Sequence, residues 1–204
     1  MHPDRWLVLI YTIPSEPSRK RAYVWRELKR LGATYLRDGV ALLPDVRETS
    51  ERLGVMARRI QEEGGSADVV PATFPTARRD ELIGHFEEER SAEYHEAYHA
   101  AVRFLNDVLA DITAEDFGFP DVHKLESELG RLHRWKEQIA ERDYFPVAGR
   151  DRLQQVLAKC DTAFEHFVAT ASEREDVPAL AEAAAEDVFK ALAGPPPGTT
   201  DLPL

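Results

Sequence analysis

Residues 6–13 of this chain read Trp-Leu-Val-Leu-Ile-Tyr-Thr-Ile, and residues 34–44 read Thr-Tyr-Leu-Arg-Asp-Gly-Val-Ala-Leu-Leu-Pro. The first run is almost wholly apolar, which predicts a central strand over Trp6–Thr12 that is buried on both faces. The second run has Asp-Gly between two apolar segments. This pattern predicts a hairpin of strands Thr34–Arg37 and Val40–Leu43, joined by a type I′ turn.

The segments around these strands show helical signals with clear ends. A helix is predicted from about 17 to 31, ended by Gly32, and a second from about 46 to 63, ended by Gly64. A fourth strand is predicted over about 67–72. The resulting order is strand, helix, strand, strand, helix, strand, which is typical of the ferredoxin-like βαββαβ arrangement.

From residue 76 onward the pattern is helical, and no further strand is predicted. One long helix is expected from about 76 to 112 and another from 121 to 142, with apolar residues at spacings of three and four. The same spacing recurs from 153 to 171, and a weaker fourth helix is expected over about 177–192.

These patterns predict an α+β fold in which a ferredoxin-like βαββαβ domain is followed by an all-helical region. We expect the α/β domain to span residues 1–75 and the helical domain 76–193. Residues 194–204 are rich in Pro and Gly, which predicts a disordered tail because proline cannot continue a helix.

The charge of the chain is uneven. The 204 residues carry a formal net charge of −11, but residues 1–45 hold 8 Lys+Arg against 5 Asp+Glu. Because an acidic protein does not bind nucleic acid indiscriminately, any such contact has to use a local basic patch.

The remaining composition predicts a cytoplasmic protein with no membrane partner. The chain has 1 cysteine, so it cannot form an internal disulfide, which fits a reducing compartment. The start is not typical of a signal peptide, and the apolar run 6–13 is far shorter than the roughly 20 residues that cross a bilayer.

The first helix is the leading candidate for a binding surface. Its predicted buried face comprises the stem of Arg21 with Val24, Trp25, Leu28 and Leu31. Cations occupy the rest of its surface and could neutralise phosphates: Arg19, Lys20, Arg21, Arg26, Lys29 and Arg30. The alternative interpretation is a solvated cationic face, partly paired with the abundant Asp and Glu.

The segment His95-Glu-Ala-Tyr-His99 matches the zinc-peptidase motif, in which two histidines one turn apart bind metal and the glutamate activates water. The residues that follow, Ala-Ala-Val-Arg-Phe over 100–104, supply neither the glycine nor the third histidine of one zinc-peptidase class. Nothing marks a downstream glutamate as the third ligand of another. We therefore favour surface histidines, with no metal and no cofactor, over a metal site at His95 and His99.

Cys160 lies on the apolar seam of the third predicted helical segment. A catalytic thiol usually lies in an exposed, electropositive turn, so a core residue is the favoured interpretation.

A second group of cations comprises Arg131, Arg134, Lys136 and Arg142, and it is followed by Asp-Tyr-Phe-Pro over 143–146. These cations could form an anion pocket with the first helix. We favour cations that complement the dipole at a helix C-terminus.

Several segments resemble the N-terminal domain of ChrB-type chromate-resistance proteins. The match is carried by Ile-Tyr-Thr-Ile-Pro at 10–14, Pro-Ser-Arg-Lys-Arg at 17–21, Leu-Gly-Ala at 31–33 and Asp-Gly-Val at 38–40, and residues 83–94 and 142–145 are also similar. The resemblance implies a regulator of a chromate-efflux operon that binds DNA and responds to the chromate oxyanion. Family members often carry a second, C-terminal domain, which is expected here as a separate polypeptide or is absent.

The predicted order also looks like that of small CRISPR-associated endoribonucleases and of the C-terminal part of PaaX-type repressors. In the nucleases a metal-binding aspartate ends the first strand, whereas this chain has Thr12 there. Without a carboxylate there is no evident way to hold a divalent metal against a phosphate, which favours a binding module over a nuclease.

We therefore expect a non-enzymatic, cytoplasmic, chromate-responsive transcriptional regulator of the stress-response kind. DNA phosphates and a chromate-like oxyanion would bind the cations of the first helix, and the helical region would form a homodimer or hold the sensing site. Two alternatives stay open: a metal-dependent hydrolase that uses His95, Glu96 and His99, and a non-catalytic protein-interaction module.

Overall fold

The computed structural model describes residues 5–14, 18–115, 117 and 119–192, with the backbone alone for 119–120 and 174–192. Over these residues the chain is mixed α/β and mostly helical. Its elements in chain order are β1 Trp6–Thr12, α1 Ser18–Arg30, β2 Thr34–Arg37, β3 Val40–Pro44, α2 Arg47–Glu62, β4 Ser66–Ala72, α3 Thr76–Ala114, α4 Phe119–Ala140 and α5 Gly149–Leu192.

The four strands form one sheet in the order β2-β3-β1-β4, and every neighbouring pair is antiparallel. The predicted central position of β1 is therefore confirmed. Its predicted burial on both faces is wrong for the second half, because Trp6, Leu7 and Leu9 are buried while Ile10 is 47% exposed. Ile10 pairs with Asp68, so the sheet becomes polar at this end.

The turn between β2 and β3 falls at Asp38-Gly39, as predicted, but it is not of type I′. That type needs positive φ at both central positions, and among the described non-glycine residues only Glu115 has positive φ. Gly39 has φ +72, and a side chain there would meet the Tyr11 carbonyl oxygen 2.5 Å away. The strand register shifts between Tyr35 and Arg37, so an irregularity in β2 accommodates the hairpin.

Helix α1 buries a narrower stripe than its pattern predicts. Val24 and Leu28 face the core, whereas Trp25, which was expected beside them, is 51% exposed. Successive helical residues are about 100° apart, so Trp25 lies at the edge of the Val24–Leu28 stripe, where nothing covers it fully. Gly32 ends the helix with φ +72, and an added Cβ there would lie 2.7 Å from the Cβ of Arg142.

The core beside the sheet is strongly aromatic. The Trp6 ring lies 5.8 Å from Phe145, 5.9 Å from Phe86 and 6.2 Å from Phe74, measured between ring centroids. Leu28 of α1 and buried residues of α2, including Ile60, belong to the same cluster. The sheet, both short helices and the segment around residue 145 therefore share one hydrophobic core.

The three long helices begin and end near the predicted positions, with one exception. The segments expected as separate third and fourth helices form the single helix α5. The sequence Ala-Ser-Glu-Arg-Glu-Asp-Val over 171–177 holds no glycine and several good helix formers, and α5 continues through this segment and through Pro178. The predicted disordered tail, 194–204, lies outside the described residues.

The chain divides into two compact units. The first comprises Met1–Val102 and Gly130–Leu157, and it holds the sheet. The second comprises Arg103–Leu129 and Ala158–Leu204, in which the rings of Phe117 and Phe167 pack 5.2 Å apart. Domain boundaries at 75 and 193 stay predictions. In the part of the chain that can be described, no helix is both long and apolar enough to cross a membrane.

Candidate functional site

The outer side of α1 presents the predicted cations on one short helix, which we call the basic surface: Arg19, Lys20, Arg21, Arg26, Lys29 and Arg30. All are exposed except Lys20, which is half-buried. They lie on α1 because the apolar residues Val24 and Leu28 orient the helix and leave the remaining positions to solvent.

Two members of the basic surface are neutralised by carboxylates. The Lys20 ammonium lies 3.0 Å from the Glu63 carboxylate and also donates a hydrogen bond to the Glu63 carbonyl oxygen at 3.0 Å. The Arg30 guanidinium lies 3.4 Å from Glu27 on its own helix. Both partners belong to the first 75 residues, so they do not come from the acidic helical half.

The other four members, Arg19, Arg21, Arg26 and Lys29, have no ion pair with any carboxylate of the described residues. Arg26 donates only to the Ala22 carbonyl oxygen on its own helix, at 3.2 Å. These charges are therefore free to meet an external anion. The cations predicted from the sequence therefore lie together on α1, and four of the six are not neutralised by a carboxylate of the described residues.

One end of the basic surface borders a cleft of about 350 Å³. Arg19 and Lys20 line it from α1, Arg59 lines it from α2, and Glu63 is its acidic residue. Glu63 is shared by Lys20 and by Arg59, whose guanidinium lies 2.8 Å away. The hydrogen bond from Lys20 holds the pKa of the Glu63 carboxyl below its ordinary value. Three cations against one carboxylate leave this cleft electropositive.

Two exposed aromatic residues lie among the cations, and the exposure of one of them, Trp25, differs from the sequence prediction. Trp25 is 51% exposed and Tyr23 is 42% exposed. Arg21, Trp25 and Lys29 follow one another at intervals of four, so they form a row along the helix. The Lys29 ammonium lies 5.2 Å from the centre of the Trp25 ring, a cation–π distance. This spacing was the signal that could have placed Trp25 outside the core.

A second cleft, of about 360 Å³, opens beside Trp25. Its walls are Trp25, Lys29, Gly32, Ala33 and Tyr35 from the α1–β2 region, and Glu89, Arg90, Ala92 and Glu93 from α3. We call it the Trp25 cleft. It combines two aromatic side chains with charges of both signs.

Two other arginines of the same unit are paired, and of these Arg90 is buried and Arg142 is half-buried. The Glu93 carboxylate accepts from Arg90 at 2.8 Å and from Arg142 at 2.8 and 3.0 Å. Arg142 also donates to the Gln138 carbonyl oxygen. The alternative of an anion pocket, which the sequence analysis did not favour, gains no support at Arg142, because Glu93 engages its guanidinium.

The residues after Arg142 are structural. The Tyr94 hydroxyl donates to the Asp143 carboxylate at 3.1 Å, and the Tyr144 hydroxyl donates to the Leu31 carbonyl oxygen at 2.7 Å. Burial raises the pKa of the Asp143 carboxyl and raises that of Tyr144 to about 12. This segment therefore links the end of α1 to the middle of α3.

The two histidines of the zinc-like motif do meet. Their Nε2 atoms are 3.0 Å apart, both rings are exposed, and both line a cleft of about 580 Å³ with Arg152. Within the residues that carry described side chains, no group of three His, Cys, Asp or Glu residues could hold a metal ion. A zinc peptidase needs a third protein ligand, so the hydrolase alternative gains no support.

Cys160 is fully buried, as predicted. Burial raises the pKa of its thiol to about 11, which opposes formation of a thiolate nucleophile at neutral pH.

Comparison with known proteins identifies a family, a curated relative and a solved structure. The profile of the family described as Protein ChrB, N-terminal, matches residues 21–176. A Protein ChrB of Cupriavidus metallidurans is 40% identical over 60 residues, a segment that covers 29% of this chain and 18% of that protein. An uncharacterised protein of Mycobacterium tuberculosis is similar at 18% identity and a TM-score of 0.41, over 86% of this chain and 64% of that one.

Proposed function

Because this chain belongs to the family of the ChrB N-terminal domain, we propose that it is a DNA-binding regulator of a chromate-resistance system. The observation that carries the proposal is the set of four cations on α1 that have no carboxylate partner among the described residues: Arg19, Arg21, Arg26 and Lys29. Unpaired cations on one helix neutralise phosphates at no cost in broken ion pairs. Membership of the ChrB N-terminal family is the reason to propose DNA, and not another polyanion, as the partner of these cations.

The matched segment spans only 18% of the length of the curated ChrB relative. Chromate sensing by this chain is therefore proposed on the chemistry of its own residues. We infer that a chromate-like oxyanion binds in the cleft lined by Arg19, Lys20 and Arg59. A tetrahedral dianion needs two or more such donors, and this cleft has a surplus of positive charge. A second copy of the chain would complete the sensing unit.

We further infer a non-catalytic, cytoplasmic role on a ferredoxin-like α/β module. The element order and the strand order β2-β3-β1-β4 support that fold assignment. The buried Cys160, whose thiol has a raised pKa, is unsuited to act as a nucleophile, which is compatible with a binding role.

A salt titration tests DNA binding. A short duplex carrying a fluorescent label is titrated with the protein at several salt concentrations, and affinity is read from anisotropy. We expect the logarithm of the binding constant to fall linearly with the logarithm of salt concentration. Replacing Arg19, Arg21, Arg26 and Lys29 by Gln should reduce that slope by about three to four, because each lost phosphate contact removes about 0.9.

The matched control removes the same number of charges from paired arginines of α2 and α3. Each member of the control set has a carboxylate within 2.7 to 3.3 Å: Arg47, Arg52, Arg78 and Arg79. This variant should leave the slope nearly unchanged. Equal losses in the two variants, or binding indifferent to salt, would contradict the assignment to the basic surface.

Adding chromate tests the sensing step. Chromate should release the duplex from the original protein, and sulfate at the same concentration measures any effect of a tetrahedral dianion in general. The Arg19→Gln variant should lose the chromate response. A response that survives this substitution would place the oxyanion elsewhere.

A further inference from the structure

Trp25 is an unusual residue to find on the outside of a helix. Large aromatic side chains usually cover apolar area, and exposing one in a soluble protein often marks a contact site. Here the indole lies in a row with Arg21 and Lys29, one helical turn to either side, and the Lys29 ammonium already approaches its ring. A cation–aromatic–cation row offers a stacking surface with charges at both ends.

The Trp25 cleft extends this surface inward. Its volume of about 360 Å³ is in the range of small-molecule sites, and Tyr35 provides a second aromatic wall. Arg90, which also lines the cleft, is only 3% exposed, and its Nε has no hydrogen-bond partner among the described residues. Its other two guanidinium nitrogens pair with Glu89 and Glu93, two carboxylates that also line the cleft.

The two acidic residues of the cleft differ in how fully arginines already engage their carboxylates. Glu93 is engaged by both Arg90 and Arg142. Glu89, in contrast, is exposed and has a single long contact of 3.4 Å with Arg90. Its carboxylate can therefore accept hydrogen bonds from an incoming group. Amino groups on a nucleobase edge are donors of the kind that Glu accepts.

We propose that the Trp25 cleft binds an unstacked nucleobase, so that α1 recognises single-stranded or locally opened nucleic acid as well as duplex. The base would stack on Trp25 while Arg21 and Lys29 neutralise the flanking phosphates. Bases inside a duplex present no free face, so only an unpaired base can stack in this way. The inference rests on the proposed binding of nucleic acid by α1, and it adds Trp25 and the Trp25 cleft to the cations Arg21 and Lys29.

The test compares a short single strand with its duplex, both labelled for anisotropy. Trp25→Ala should weaken single-strand binding by about tenfold, within the range for loss of one base–aromatic stack. Trp25→Phe should recover part of that loss. Duplex binding, which depends on the cations, should change by less than about twofold.

Tyr23→Ala is the matched control, because Tyr23 is an exposed aromatic residue on the same helix that does not line the Trp25 cleft. Unchanged single-strand binding by this variant supports the proposal. A loss as large as that of Trp25→Ala overturns it, since the effect would then not belong to the cleft.

Three further results would also overturn the proposal. They are unaltered single-strand binding by Trp25→Ala, equal losses for single strand and duplex, and a change from dimer to monomer on size-exclusion chromatography. The last result would make Trp25 a contact between copies of the chain.

If the original protein binds single strands through Trp25 but no duplex, this inference stands and the regulator proposal fails. If it binds only duplex, the reverse holds.

Discussion

Arginines of the same compact unit occupy two contrasting settings. On α1, Arg19, Arg21 and Arg26 extend into solvent with no carboxylate partner among the described residues. On α3 and at the end of α4, Arg90 and Arg142 are largely covered, and they share the carboxylate of Glu93. The contrast shows that a cation in this chain acquires its role from its partner and its burial rather than from its charge.

The physical reason is the cost of removing a charge from water. A covered guanidinium without a partner is destabilising, so Arg90 and Arg142 are committed to holding the fold. An exposed guanidinium loses little when left unpaired, because water screens it. The α1 arginines can therefore be used for binding without loss of stability.

The largest expected effect comes from breaking the buried pair. Glu93→Ala leaves Arg90, which is 3% exposed, without its closest carboxylate. The free energy of unfolding should fall by about 3–5 kcal/mol, measured by urea denaturation. The control Glu89→Ala removes an exposed carboxylate from the same helix and should cost less than about 1 kcal/mol. Equal costs would show that Arg90 is not the uncompensated buried charge.

A smaller effect is expected from the other partner of Glu93. Arg142→Ala removes the hydrogen bonds to Glu93 and to the Gln138 carbonyl oxygen, while Glu93 keeps Arg90. We expect thermal and urea denaturation to give a loss of about 1–3 kcal/mol. Arg134→Ala, an exposed position on α4, should stay within about 0.5 kcal/mol of the original protein. An unchanged free energy of unfolding in Arg142→Ala would show that this arginine does not stabilise the fold.

Lys20 lies between the two settings, and its contribution should depend on pH. Its hydrogen bond lowers the pKa of Glu63, so the pair stabilises the fold above the ordinary carboxyl pKa. That stabilisation should vanish as pH falls through the lowered pKa. The melting temperature of Lys20→Ala should therefore lie slightly below that of the original protein at neutral pH, and the two should converge in acid. Arg21→Ala, which removes an unpaired cation, should show no such convergence.

The smallest effect on stability is expected on the basic surface itself. Replacing Arg21 and Arg26 by Gln should change the free energy of unfolding by no more than about 0.5 kcal/mol, because neither side chain has an ion pair to lose. The same variant should bind duplex DNA more weakly. Circular dichroism melts and anisotropy titrations on one preparation would separate the two properties. A marked loss of stability would show that the exposed arginines of α1 also hold the fold, as Arg90 and Arg142 do.

The elements of the α/β part were predictable because their ends carry local chemical signals. Gly32 ends α1, Asp38-Gly39 joins β2 to β3, and apolar runs mark the strands. The wrong predictions concern geometry that such signals do not specify. The turn type failed because Asp38 does not adopt positive φ, and the division of α5 failed because one helix continues through 171–177 and through Pro178.

The sequence predicted which residues make up the candidate site, but not which of them are exposed and unpaired. The six cations of α1 could be identified from their residue types alone. The pairing of Lys20 depends on Glu63, 43 residues further along the chain, and the exposure of Trp25 depends on how little of α1 the core covers. A helical pattern places Trp25 next to the apolar stripe, but it does not give the width of the stripe.

Residue order alone was enough to specify four strands, the helices around them and a cluster of positive charge on α1, because backbone stop signals and apolar periodicity act over a few residues. Only the folded chain decided which charges stay free. The partner of Arg142 is Glu93, 49 residues away, and the two meet where the segment after α4 contacts the middle of α3. Long-range packing thus commits some arginines to the fold and leaves those of α1 open to an external anion.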